Sequence, residues 1–181
     1  MPVDTMKSFK NYLLVVTSII LLFSCTEDNK KRKVVLANEF LHYYLNEINK
    51  NKAPMVLESY SQSDASRCLS QMGDELTRLG FDMEDLIEES SLKFSLPDST
   101  KFISKEQLPN PSGPNSWKNF KNRYNNGFYM ISAPIVNDNF DRIIVYYSYY
   151  CDERCGNGEV VLYKKNGSGW KRIKKYCDWV S

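Results

Sequence analysis

The stretch Arg142-Ile143-Ile144-Val145-Tyr146-Tyr147-Ser148-Tyr149-Tyr150-Cys151 decides the fold. Its β-branched and aromatic residues favour an extended strand, in which successive side chains point to opposite faces. Ile143, Val145, Tyr147, Tyr149 and Cys151 therefore share one face (the odd face). Ile144, Tyr146, Ser148 and Tyr150 share the other (the even face). Both faces are apolar enough to need cover, which predicts a central strand with helices on one face and a loop or ligand partly shielding the other.

Similar composition recurs on either side of it. Phe128 to Ala133, Glu159 to Lys165 and Trp170 to Val180 complete a predicted antiparallel meander of four strands, and Asn166-Gly167-Ser168-Gly169 is a hairpin signal. Upstream, Val34, Ala37, Leu41, Leu45 and Ile48 recur every three or four residues, which predicts an amphipathic helix over 34–51. Ser63 or Asp64 can cap a second helix with the stripe Ala65, Cys68, Leu69, Met72, Leu76 and Leu79, stopped by Gly80. Asp82 can cap a short acidic helix to about Glu89, and Leu92 to Leu96 alternates like a strand. The Pro-rich segment 97–115 reads as a loop holding a short helix after Ser104, and Trp117, Phe120 and Tyr124 mark one face of another helix. The class is α+β, with N-terminal helices packed on a C-terminal meander, an order that resembles the NTF2-like fold.

The N-terminus has a different character. Lys7 and Lys10 precede the apolar run Tyr12 to Phe23, too short for a bilayer-spanning helix, and Ser24 precedes Cys25. Met6 is a second candidate start. Leu22-Phe23-Ser24-Cys25 resembles the lipobox of bacterial lipoproteins, with Phe23 a departure from the commonest pattern. The resemblance implies a signal peptide over 1–24, lipidation of Cys25 (diacylglycerol and a palmitate-like chain), a membrane partner and an outer-membrane location, periplasmic or surface-exposed. Residues 25–33 then read as a lipidated charged tether and 34–181 as a single domain. In the tether, Glu27 and Asp28 loosely resemble the surface-export signals of Bacteroidetes lipoproteins, and Lys30, Lys31, Arg32 and Lys33 are placed to meet anionic headgroups.

Composition excludes some functions. The net charge of +2 falls by one when Lys7, Lys10 and Asp4 are removed, so no basic field recruits nucleic acid. His42 is the only histidine and lies in the first predicted helix, with no nucleophile motif elsewhere to use it. Glu84, Asp85, Glu88 and Glu89 read as dipole-complementing acids of a short helix before they read as a catalytic pair. No cofactor or metal motif is present. Tyr146, Tyr147, Tyr149 and Tyr150, with Trp170 and Trp179, could form an aromatic platform, with Tyr146, Tyr150 and Trp170 the candidate binding residues for a protein, peptide or glycan; aromatics are also ordinary sheet residues, and core packing is the stronger reading of them. The expectation is a non-enzymatic interaction module; the alternative is an NTF2-like pocket that binds or hydrolyses a small molecule.

With Cys25 assigned to lipid, Cys68, Cys151, Cys155 and Cys177 remain, an even set that reads as two disulfides in an exported chain. The Cys-x3-Cys spacing differs from the redox Cys-x-x-Cys, and an oxidising compartment favours bridges over a zinc site. If residues 166–169 form the turn, 165 faces 170 and 158 faces 177; a loop over 152–158 puts 151 opposite 159. Cys151 and Cys177 then stand two strand spacings apart, about 9.6 Å, beyond the reach of about 7 Å for a bridge. Two pairings stay open: Cys151–Cys155 with Cys68–Cys177, or Cys155–Cys177 with Cys68–Cys151.

Ile131-Ser132-Ala133-Pro134-Ile135, Tyr149-Tyr150-Cys151-Asp152-Glu153-Arg154-Cys155-Gly156-Asn157-Gly158, Gly169-Trp170-Lys171 and Asp178-Trp179-Val180-Ser181 together resemble a family of uncharacterised Bacteroidetes lipoproteins and secreted proteins. Its C-terminal sheet carries a Ser-x-Pro, a Cys-x3-Cys-Gly-x-Gly and a closing Trp. The resemblance covers roughly 128–181 and carries no reaction with it. It implies a self-contained Cys151–Cys155 bridge, which leaves Cys68 for Cys177.

Overall fold

The computed structural model describes residues 27–47, 53–58, 65–70, 72–82, 101–110, 113 and 115–180. The predicted signal peptide, the acidic helix after Asp82 and the strand at 92–96 lie outside these residues. The chain is α+β. Helix α1 covers 27–47, followed by β1 (Met55–Glu58), α2 (Ala65–Ser70) and α3 (Gly73–Arg78). After a 3-10 turn at Lys105–Gln107 come α4 (Ser116–Tyr124), β2 (Phe128–Ser132), β3 (Ile135–Val136), β4 (Arg142–Asp152), β5 (Cys155–Asn166) and β6 (Gly169–Val180). Strands β2 to β6 pair antiparallel in one open sheet, and β1 adds to β2 in parallel. The four predicted strands are β2, β4, β5 and β6. The short β1 and β3 are additions, each too brief to show a period.

β4 is central, and both of its faces are covered by helix. On the odd face Leu36, Ala37, Phe40, Leu41, Tyr44 and Leu45 of α1 pack against Met55, Ile131, Val136, Ile143, Val145 and Trp170. On the even face Cys68, Leu69, Leu76 and Phe81 pack against Ile135, Ile144, Tyr146, Val160 and Leu162, while Phe120 of α4 packs with Phe128 and Ile103. The predicted loop or ligand over the second face is therefore corrected: α2, α3 and α4 cover it. All of these elements lie within 27–180, so that span holds the whole described fold.

Three more expectations change. α1 is already helical at residue 27, ahead of the expected 34, so 27–33 of the predicted tether belong to it. Residues 27–32 are solvated as expected, but Lys33 is buried and its Nζ donates to Asp138 at 2.7 Å. The helix expected over 65–79 is two short helices, divided just before Gly73, where the missing Cβ makes the helix least favourable. α3 then closes as foreseen at Gly80, whose φ of 77° lets its N–H reach Thr77 while Phe81 N–H reaches Leu76, a Schellman end. Third, Lys165 does face Trp170, but Gly158 faces Trp179 and not Cys177. Two bulges on β6, opposite Val160 and between Leu162 and Tyr163, each insert one residue. The β4–β5 connection is also shorter than the predicted 152–158 loop, with Asp152 already facing Cys155.

Two local devices hold the centre. Between the end of β2 and the start of β3 the backbone N–H of Tyr146 has no strand partner, and the buried Ser132 hydroxyl accepts it at 3.0 Å. Pro134 interrupts the ladder there, so the Ser-x-Pro pattern repairs its own gap. The buried Asn137 organises the β3–β4 turn: its Oδ1 accepts from the N–H groups of Asp141 and Arg142, and its Nδ2 donates to Leu79 O and Asp141 Oδ1.

The disulfides are Cys68–Cys177, with Cα atoms 6.0 Å apart, and Cys151–Cys155, at 5.1 Å. The first closes a sequence separation of 109 residues and the second one of 4. Loop-closure entropy then assigns about 5 kcal/mol to the first and about 2 kcal/mol to the second. A C68S/C177S variant is expected to lose clearly more unfolding free energy in denaturant than C151S/C155S; equal losses would contradict this placement. Ser132→Ala, which strands a buried N–H, is expected to cost about 1–3 kcal/mol in the same measurement.

Candidate functional site

The register aligns side chains in lateral rows at the end of the sheet where β4 and β6 finish and β5 begins. On the odd face one row runs Tyr129, Tyr149, Asn157 and Val180 across β2, β4, β5 and β6. The next runs Ile131, Tyr147, Glu159 and Asp178. Tyr129 and Tyr149 have ring centroids 4.7 Å apart and are half-buried, whereas Asn157 and Val180 are exposed. Between the rows lies a shallow cleft of about 250 Å³, lined by Tyr147, Asn157, Glu159, Lys175, Asp178 and Val180 among others.

The polar groups are positioned by one another. Tyr147 donates its hydroxyl to Glu159, and Arg172 donates to the other oxygen of that carboxylate at 2.5 Å. Lys175 pairs with Asp178 at 2.8 Å. Burial, then the hydrogen bond and charge of Glu159, raise the Tyr147 phenol well above its ordinary range. Burial also raises Tyr44, and it pushes Tyr163 up to about 12. The cleft thus offers a held carboxylate, a second carboxylate, an ammonium, an amide and aromatic faces. This set can hydrogen-bond a polar ligand while a tyrosine ring takes its flat side.

The even face at the same end has an aromatic row of its own. Trp117 stacks on Phe128, Phe128 on Tyr150, and Tyr150 meets Trp179 at 5.5 Å. Trp179 lies over Gly156 and Gly158, alternate residues of β5. A Cβ on Gly158 would come within 2.5 Å of the indole nitrogen, and one on Gly156 within 3.2 Å of the ring. The Trp179 N–H points at the Tyr146 hydroxyl at 3.3 Å. In this chain the Gly-x-Gly and the closing Trp are therefore a packing pair.

The candidate residues from the sequence separate. Tyr146 and Trp170 are buried on opposite faces, Tyr146 against α2 and α3 and Trp170 against Phe40 of α1; only Tyr150 is half-exposed. Tyr146 and Tyr150 share the even face, whereas Trp170, opposite Lys165, takes the odd face, so the three form no joint surface and core packing claims Tyr146 and Trp170. His42 is exposed on α1, its ring beside Asn46. Glu84, Asp85, Glu88 and Glu89 lie outside the described residues. Tyr129, Asn157, Glu159, Lys175 and Asp178 were missed, since only cross-strand register assembles them. Among the described residues no group of three or more His, Cys, Asp or Glu is arranged to hold a metal ion.

The fold and the cleft define an open α+β sheet domain with an aromatic and charged surface at one end. No family model matches the sequence, and no curated protein and no solved structure matches it.

Two outcomes follow from the packing. Gly158→Ala is expected to displace Trp179 and lower the unfolding midpoint, with a change in tryptophan fluorescence; unchanged fluorescence would refute the packing pair. At alkaline pH, phenols with raised folded-state values keep their protons longer than the same groups in the unfolded chain. Stability is therefore intact below pH about 10 and falls as pH rises toward 12 through Tyr163. Denaturant midpoints followed with tyrosinate absorbance would check this, and Tyr163→Phe should flatten the slope.

Proposed function

We propose that this chain is a lipoprotein of the bacterial cell envelope, acylated at Cys25, whose disulfide-stapled domain binds a glycan without transforming it. The observation that carries the reading is the opposition of two ends. The described part of α1 opens two positions after Cys25, and Lys33 fixes it to Asp138 in the β3–β4 turn. The Tyr129–Tyr149 pair and the cleft lie at the far end of the same strands. A domain anchored at Cys25 would therefore hold this surface away from the lipid.

Glycan is favoured over other ligands by the chemistry of the two rows. A pyranose has a flat C–H face that suits a tyrosine ring and hydroxyls that both donate and accept. Asn157, Asp178 and Lys175 supply both kinds of partner beside the ring pair. The shallow opening suits an extended chain, whereas deep enclosure typifies small-molecule sites. The alternative of a hydrolytic or small-molecule pocket of the NTF2-like kind has less support: His42 faces solvent, and the described helices and sheet fill the space between them with side chains. The resemblance of residues 128–181 to Bacteroidetes lipoproteins and the lipobox-like Leu22-Phe23-Ser24-Cys25 support the location.

The test is a glycan array probed with residues 26–181. Wild type is expected to retain at least one glycan, and Tyr149→Ala to bind it about tenfold more weakly, as the loss of one stacked ring would cause. Retention unaltered by Tyr149→Ala and Asn157→Ala together would exclude this surface. Intact mass of the membrane-extracted chain would report acylation at Cys25, and Cys25→Ser would abolish it.

A further inference from the structure

At the anchor end the register sets three cations side by side. Arg142 of β4 faces Lys164 of β5, which faces Lys171 of β6. All three therefore project from the even face in one row. Like charges directly opposed across strands oppose pairing, so this arrangement lowers the stability of the sheet it sits on. Asp141 pairs with Arg142 at 3.1 Å, whereas Lys164 and Lys171 are exposed and have no ion-pair partner among the described residues. Three other acids near this end are already matched, Asp138 with Lys33, Glu39 with Lys165 and Glu27 with Lys31, while Asp28 is exposed on α1.

The same end holds the start of α1. Lys33 reaches Asp138, and the Arg32 guanidinium lies 4.1 Å from the centre of the Phe140 ring. Lys165 N–H in turn donates to Asp141 O at 2.8 Å, which brings the β5–β6 hairpin against the β3–β4 turn. Cys25 precedes residue 27, the first described residue of α1, by two positions, a chain reach of at most about 7 Å, and residue 27 is about 7.5 Å from residue 32 along the helix. Exposed Lys30 and Arg32 thus share the end with the Arg142–Lys164–Lys171 row, close to the position of a lipid.

We propose that this end is a membrane-contact surface, in which Lys164 and Lys171, with Arg142, Lys30 and Arg32, rest on anionic lipid headgroups. The surface orients the domain and complements the anchor, and the reading rests on the lipoprotein function proposed above. Anionic headgroups would neutralise Lys164 and Lys171, whose like-charge opposition the sheet carries at a cost. A single charge near an anionic bilayer changes binding about fivefold, so the row adds a real but salt-sensitive term.

The experiment uses the unacylated domain, residues 26–181, which contains every described element and both disulfides. It is sedimented with vesicles of phosphatidylcholine, with and without phosphatidylglycerol. The expected result is co-sedimentation with the anionic vesicles alone, lost as salt is raised, and weakened more than twentyfold by K164E/K171E. A far-end control, K105E/K118E, should bind like wild type. The K164E/K171E variant is expected to fold, because both side chains are exposed and the change turns the 142–164 pair into one of opposite charge while 164 and 171 remain a like-charge pair as before; circular dichroism would verify this. Equal binding to neutral vesicles, absence of binding, or indifference to K164E/K171E would overturn the surface, as would retention on an immobilised polyanion without vesicle binding. The mass of the chain extracted from membranes reads the anchor separately. An acylated chain whose domain ignores vesicles sinks only the contact surface, and an unacylated chain whose domain binds them sinks only the anchor.

Discussion

The constraint on which the structure depends is the burial of β4 on both faces. Ile143, Ile144 and Val145 are fully inaccessible, and consecutive residues of a strand point opposite ways, so one strand needs two separate apolar layers. α1 supplies one and the α2–α3 pair with α4 supplies the other. A chain with helices on one side alone would leave Ile144, Tyr146 and Val160 in water. Burying each of these large side chains contributes roughly 1.5–3 kcal/mol, so the second layer is not optional.

That second layer is made of short helices that would be marginal alone. Their attachment comes from β6. The bulge opposite Val160 leaves Tyr176 and Cys177 together against one residue of β5. Tyr176 then reaches Glu75 of α3, which Lys174 also pairs, while Cys177 bonds Cys68 of α2. An irregularity in an edge strand thus converts a covalent bond and an ion pair into the clamp that holds α2 and α3 on the even face. The same bulges twist and interrupt a long edge that would otherwise be open to pairing, and its many lysines act to the same end.

The two ends of the sheet differ in chemistry for a related reason. Helical cover is densest near the middle of β4, where buried residues run without interruption. Toward Tyr149 and Asn157 side chains are half-exposed and polar partners appear in the cleft. At the opposite end the turns 137–141 and 167–168 converge, tied by Asn137 and the Lys165–Asp141 bond, and cations collect there. Function proposed for either end therefore leaves the core between them untouched.

Local pattern was enough to give the α+β class, four of the strands, the hairpin at 166–169, the Gly80 helix end and the face of α4, because each follows from short-range periodicity or turn chemistry. Cysteine parity gave two bridges, and strand spacing removed one of three pairings. The geometry of the bulges, the double helical cover, the burial of Lys33, and the roles of Ser132 and Asn137 needed the tertiary structure. So did the aromatic and charged rows: Tyr129, Tyr149, Asn157 and Asp178 lie on four different strands. A sequence determines which faces are apolar because the strand period is fixed at two. Only the assembled sheet decides which residues become neighbours, because a single inserted residue in β6 shifts every cross-strand pair beyond it.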